Sequence, residues 1–182
     1  MLVLIVGPSG AGKDTLLDAA RDALAGDPRV VFARRCITRP ADAGGEAHEA
    51  LDDAAFEARR AAGGFALWWR AHGLSYGIPM AVEADLAAGR VVIASVSRAV
   101  IAEAARRYPV RVVEITAPAA VLASRLAKRQ REDANGIAER LARAVALPDA
   151  VEIMRVMNDG SVAQGAARLL DAISRATAAA PR

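Results

Sequence analysis

Gly7-Pro8-Ser9-Gly10-Ala11-Gly12-Lys13 spaces its glycines and lysine so that a chain leaving the apolar run Leu2–Val6 turns tightly and enters a helix. In a Gly-x-x-x-x-Gly-Lys loop the backbone N–H groups point inward around phosphate oxygens. The following helix adds its positive end, and the lysine reaches the outer phosphates. The chemistry is phosphoryl transfer from ATP, with Lys13 supplying charge where the reaction builds it. Only Lys13 and Lys128 among the 24 basic residues are lysine, so a lysine at this position is not the background of an arginine-rich chain. Gly7, Pro8, Ser9, Gly10, Ala11, Gly12, Lys13, Asp14 and Thr15 are therefore read as ATP-binding. Asp14 stands where such loops usually carry the Ser or Thr that donates a hydroxyl to magnesium, and Thr15 comes one position late. A carboxylate is a good ligand for a hard divalent ion, which makes Asp14 the candidate ligand for Mg2+.

These residues need a strand before them and a helix after, and the hydrophobic spacing supplies both. Leu2–Val6 reads as a strand and 15–24 as a helix ending at Gly26-Asp27-Pro28. Residues 30–33 read as a second strand, and 34–50, polar and glycine-containing, as a functional loop. Asp52 or Asp53 can cap a helix to about Ala62, Gly63-Gly64 breaks it, and 65–69 and a segment ending near Tyr76-Gly77 read as paired strands around His72-Gly73. Helices at 80–88, 98–107, 119–131, 137–147 and 164–177 alternate with strands at 91–96, 110–116 and 151–157. That alternation predicts an α/β fold with a central parallel sheet flanked by helices.

A chain of 182 residues is long enough to bury a core without disulfides or metal, and its one cysteine, Cys36, cannot form an internal bridge. No apolar run approaches the ~20 residues needed to cross a bilayer. Met1–Val6 lacks a basic leader, so the expected setting is the cytoplasm, without a membrane. The net charge of +3 speaks to steering rather than to an activity, and few aromatics are present to stack bases, so no nucleic-acid partner is expected. A homodimer is left open.

The chain resembles the guanylate kinase family of P-loop kinases over nearly its whole length. The phosphate loop matches, as do Thr38-Arg39-Pro40 with Gly45-Glu46, the stretch that holds the acceptor's phosphate, and Tyr76-Gly77, a second phosphate contact. Leu122, Arg125, Leu126, Arg129 and Arg140-Leu141 reproduce the spacing of the family's lid, and Asn158-Asp159 its loop near the adenine. The resemblance implies one P-loop NTPase domain over 1–182, with an acceptor-binding insertion at about 34–79 and a helical lid at 119–147. It implies catalytic roles for Lys13, Arg125, Arg129 and Arg140, nucleotide contact by Asn158, and acceptor contact by Arg35, Arg39, His48 and Tyr76.

Departures from that pattern choose the acceptor. The family's guanine-reading Glu is here Leu67, two acidic positions at the end of the third strand are Ser95 and Ser97, and a phosphate-binding tyrosine is His48. A site built to hydrogen-bond guanine rejects analogues strongly, and a leucine cannot make those bonds. Neutral hydroxyls at 95 and 97 suit sugar hydroxyls and do not repel a second phosphate. Pro8, Asp14-Thr15, Thr38–Asp42, Gly44–Glu46 and His48 resemble the branch of the family acting on ribose 1,5-bisphosphate. The reaction so implied is ATP plus ribose 1,5-bisphosphate giving ADP and 5-phosphoribosyl 1-diphosphate, the partner being a small phosphorylated sugar. A nucleoside monophosphate kinase with altered base choice is the alternative. A noncatalytic scaffold of this family would be expected to lose the loop and the lid arginines, and both are kept. Trp68 and Trp69, adjacent in a strand, should face opposite sides, one toward the core and one toward the acceptor cleft, while His72 reads as ordinary surface.

Overall fold

The computed structural model describes residues 1–43, 46–128 and 151–178. Its centre is β1 (Leu2–Val6), whose five aliphatic side chains are all buried, as a strand covered on both faces requires. Parallel neighbours flank it: β7 (Val91–Ser95) on one side and β8 (Val110–Thr116) on the other, with β2 (Val30–Phe32) beyond β7 and β9 (Ile153–Met157) beyond β8. The order is β2-β7-β1-β8-β9. The parallel α/β sheet expected from sequence is thus present.

Strand alternation divides the core. Val3, Ile5, Ile93, Val113 and Ile115 pack on one face with α1 (Lys13–Ala23) and α6 (Val162–Ala178), through Leu16, Leu17, Leu169 and Ile173. Leu2, Leu4, Val6, Val92, Ala94 and Val112 pack on the other face with α4 (Ile101–Arg107) and with Leu67, Trp69 and Ile78 of a second sheet. Residues 98–107 were expected as one helix. They begin instead as a 3-10 turn, Arg98–Val100, because Ser97 Oγ accepts from the Ala99 amide and tightens the entry. The helix expected at 80–88 is shorter, α3 (Val82–Ala87).

The second sheet has the order β4-β3-β6-β5. Its spine is an antiparallel hairpin of β5 (Phe65–Ala71) and β6 (Leu74–Pro79), joined by His72 and Gly73 at φ 52° and 72°. Two successive positive φ values are what a tight two-residue hairpin turn requires. The segment 34–50, read from sequence as loop, contains β3 (Cys36–Ile37) antiparallel to β6, and β4 (Glu49–Ala50) parallel to β3. Two-residue strands carry no readable periodicity; pairing with β6 makes β3, and pairing with β3 makes β4. The α2 helix (Asp53–Ala61) is capped by Asp52, which accepts from the Ala55 amide at 2.7 Å, and its Phe56 stacks on Phe65 at 4.6 Å over Cys36. Trp69 is buried and Trp68 stands exposed on the other face, 5.0 Å from the Arg60 guanidinium. The opposite facing expected for the pair is present, but the core-facing tryptophan is also the cleft-facing one.

The α5 helix covers Ala119–Lys128. Arg129, Arg140 and most of the expected lid at 119–147 lie outside the described residues. Among the described residues no helix is long and apolar enough to cross a membrane.

Candidate active site

At the carboxyl end of β1 the chain cannot continue as strand. A side chain on Gly7, at φ 152°, would overlap the Ile115 carbonyl of the adjacent β8, so only glycine lets the loop begin so close to the sheet. Gly12 then sits at φ 83° as the N-cap of α1, with no side chain capping it, which leaves the first-turn amides to face the cleft. Lys13 folds back over the loop, its Nζ donating to the carbonyls of Gly7 at 2.8 Å and Pro8 at 3.0 Å. Asp14 follows in the first turn and lines the cleft, whereas Thr15 is exposed and stands away from it.

Asn158 is buried behind the loop. Its Nδ2 donates to the Ala11 carbonyl at 2.7 Å, and its own amide donates to Thr116 at 2.7 Å. Asn158, expected at the nucleotide, braces the end of β9 against the phosphate loop. Ala11 is likewise buried, its carbonyl spent on that brace.

The cleft, of about 610 Å³, runs from the loop to the second sheet. Gly7, Pro8, Ser9, Gly10, Gly12, Lys13 and Asp14 form one wall, and Arg35, Arg39 and Tyr76 the opposite one, with Ser97 on the floor. Arg35 donates through Nε to Glu46 Oε2 at 2.8 Å, makes a second, shorter contact from Nη2 to Glu46 Oε1, and reaches the Ser95 carbonyl from Nη1 at 3.3 Å. Burial weakens the Arg35 guanidinium's hold on its proton relative to an ordinary arginine, while the nearby Asp14 charge acts in the opposite sense. His48 backs Arg39: its Nε2 lies 3.0 Å from the Arg39 carbonyl, and its Nδ1 lies 3.0 Å from the Glu46 carbonyl and 3.3 Å from Arg39 Nη2. Tyr76 stacks almost parallel on Trp69, at 5.3 Å and 3°.

Two expected acceptor contacts are displaced. His48 is 4% exposed with both ring nitrogens facing backbone carbonyls or Arg39, so it is set behind the cleft-lining arginine rather than beside it. Ser95 pairs in register with Ile5, and strand alternation turns it from the acceptor side; its Oγ is buried without a partner. Arg125 of α5 also stands back from the cleft, its Nη1 buried without a partner and 3.8 Å from where a Cβ on Gly12 would lie.

Three polar or charged lining residues escaped the sequence reading. His72, taken for surface, and Arg70 line the outer end of the cleft by virtue of the hairpin turn. Arg98 lines the floor, its Nη2 donating to Glu114 Oε1 at 2.6 Å while Arg155 donates to the other oxygen at 3.1 Å. The available signal was Glu114 itself, an acid inside the otherwise apolar tail of β8. Against Asp14 and Glu46, the lining carries Lys13, Arg35, Arg39, Arg70 and Arg98, an excess of positive charge that suits a polyanion.

No family model matches the chain. It is 52% identical over 172 residues to a protein of Methylobacterium radiotolerans named ribose 1,5-bisphosphate phosphokinase PhnN, covering 93% of this chain and 94% of that one. A protein of the same name from Acidiphilium cryptum is 58% identical over 145 residues, 80% of this chain and 77% of that one. A bifunctional ribose 1,5-bisphosphokinase-thymidine phosphorylase of Azorhizobium caulinodans is 52% identical over 180 residues, of which this chain spans 26% of the length. Among solved structures, a guanylate kinase from Anaplasma phagocytophilum superposes with a TM-score of 0.69 over 96% of this chain and 85% of that one, at 17% identity.

Proposed function

The chain belongs to the ribose 1,5-bisphosphate phosphokinase family, and from that premise we propose that it transfers the γ-phosphoryl group of ATP to ribose 1,5-bisphosphate, giving 5-phosphoribosyl 1-diphosphate and ADP. A 1-phosphate oxygen of the acceptor attacks the γ-phosphorus in line, forming the new P–O–P bond as the bond to the ADP oxygen breaks. The substrate phosphate is itself the nucleophile, so no side-chain nucleophile is needed, and the protein's part is positioning and charge. The observation that carries the reading is the two-walled cleft, with backbone amides and Lys13 on one side and Arg35, Arg39 and Tyr76 on the other. Leu67, where a guanine-reading carboxylate would stand, is fully buried among Leu4, Ala94 and Trp69 and offers no acceptor to a base.

In this reading Lys13 exchanges the Gly7 and Pro8 carbonyls for the β- and γ-phosphates, and Ser9 and Gly10 offer amides to them. Arg39, with a planar fork suited to paired oxygens, holds the acceptor's 5-phosphate with Tyr76, and Arg35 lies beside them. Residues 34–79 serve as the acceptor-binding insertion and 119–147 as the lid, with Arg125, Arg129 and Arg140 closing on the transferred group.

Among the described residues no group of three His, Cys, Asp or Glu side chains could hold a metal alone. A single carboxylate completed by phosphate oxygens and water is an ordinary magnesium environment, and Asp14, on the lysine side of the cleft, fits it. Bound Mg2+ would neutralise charge on the β- and γ-phosphates. Asp14→Asn and Asp14→Ser should both shift the Mg2+ concentration that supports half-maximal turnover. An unchanged magnesium curve in both variants removes Asp14 from the metal site.

A coupled assay offering ribose 1,5-bisphosphate, GMP and AMP, read by product identity, tests the acceptor. The bisphosphate should be turned over and the nucleotides not. Turnover confined to GMP or AMP makes the chain a nucleoside monophosphate kinase instead.

A further inference from the structure

Arg98 belongs to neither wall of the cleft as the phosphate loop and the second sheet define them. It begins the 3-10 turn just beyond β7, and residues 96–99 together floor the cleft. Its bond partner, Glu114, lies on β8, in register with Val6. Strands β7 and β8 are the two neighbours of β1, so the Arg98–Glu114 bridge spans the carboxyl end of β1 where the phosphate loop departs. By strand alternation Glu114 shares the face of Val110 and Val112, the face that packs against the second sheet rather than against α1 and α6. The guanidinium is thereby placed at the foot of the phosphate loop but on the acceptor's side of it.

Its hydrogen bonding is incomplete. Glu114 takes one N–H of Arg98 at 2.6 Å, and Arg98 Nε is buried with no acceptor. Buried donors in folded proteins are nearly always satisfied, so one left open beside a cleft floor marks a residue with a role beyond packing. Glu114, 8% exposed, is itself shared with Arg155, so its negative charge is met from two sides and does not cancel Arg98 alone. The cleft gains a cation held rigid by a buried anchor.

Resting on the kinase reading above, we infer that Arg98 grips the acceptor's 1-phosphate, the group that attacks, while Arg39 and Tyr76 hold the 5-phosphate farther out. Glu114 is its positioning residue. The arrangement sets the two acceptor phosphates on separate cationic sites, one on the sheet floor and one on the hairpin wall, and selects a bisphosphate over a monophosphate.

The test compares wild type with Arg98→Lys and Arg98→Gln, using ribose 1,5-bisphosphate as substrate and ribose 5-phosphate, which lacks the 1-phosphate, as competitive inhibitor. Loss of a charge-assisted, forked contact should lower kcat/KM by about 10-fold in Arg98→Lys and about 100-fold in Arg98→Gln. The ribose 5-phosphate inhibition constant and MgATP binding measured without acceptor should stay within about twofold, as neither ligand meets Arg98. Arg98→Lys keeps a cation for Glu114 and so reports even where Arg98→Gln fails to fold. Full turnover in Arg98→Lys, or ribose 5-phosphate weakened as much as the bisphosphate, overturns the assignment. Wild type that turns over no ribose 1,5-bisphosphate at all condemns the kinase reading itself, an outcome visible before either variant is made.

Discussion

On the phosphate-loop wall of the cleft the groups offered to a ligand are peptide amides and one ammonium. On the opposite wall they are guanidiniums, each tethered by a neighbour: Arg35 by Glu46, Arg39 by His48, and, on the floor, Arg98 by Glu114. The first wall is shaped by backbone conformation, which glycine spacing dictates locally. The second depends on tethers whose partners lie up to 16 residues apart in the chain and meet only when the sheets form. One wall is therefore tuned by loop geometry, the other by swapping side chains, which is how one fold can keep its nucleotide and change its acceptor.

The sharpest way to break this division is at Lys13. Lys13→Met should cut turnover by about 10³-fold or more, since it removes the ammonium of the phosphate loop, yet leave acceptor affinity measured by ligand titration within about twofold. Equal loss of both would mean the walls are not independent.

Asn158→Ala probes whether backbone shape has its own anchor. It strands the buried Ala11 carbonyl, and the expected cost is about 1 to 3 kcal/mol of unfolding stability together with weaker ATP binding, both readable from urea titration and nucleotide titration. An intact urea midpoint would show the brace to be dispensable.

His48→Ala is the mirror experiment. Without the imidazole behind it, Arg39 should lose alignment and raise the acceptor KM by about 10-fold with ATP affinity unchanged, the order of one lost hydrogen bond. A change in ATP affinity instead would place His48 on the wrong side of the comparison.

The smallest effect belongs to Cys36, under the second sheet. Burial, aided by its bond to Glu49, pushes its thiol from 9.0 up to about 12. The raised value favours the neutral thiol in the fold, so this contribution to stability is complete below pH 9.0 and is lost progressively as pH rises toward about 12. Native protein should resist iodoacetamide at pH 8 and react once unfolded in urea, and the urea midpoint should drift down above pH 9. Rapid alkylation of the native protein at pH 8 contradicts this.

The same division explains what the sequence disclosed. The phosphate loop, the five-residue β1 and the seven-residue β8 were legible because glycine spacing and aliphatic runs act over a few residues. The facing of Trp68 and Trp69 followed from a period of two. His48 behind Arg39, the two-residue β3 and β4, and His72 at the cleft mouth were not legible, because each is set by pairing or packing with a distant segment. Asn158 stood out in the sequence, but its partner lies 147 positions away, and no local pattern reveals which group an amide will meet.

That distance has a consequence for how the protein is made. The phosphate loop leaves the ribosome 147 residues ahead of the amide that fastens it, which arrives with the loop before α6, and Gly165 of that helix must then slot against both Asn158 and Leu16. A nascent chain thus carries the glycine-lysine motif well before it can hold it in shape, and the loop is fastened only when α6 docks.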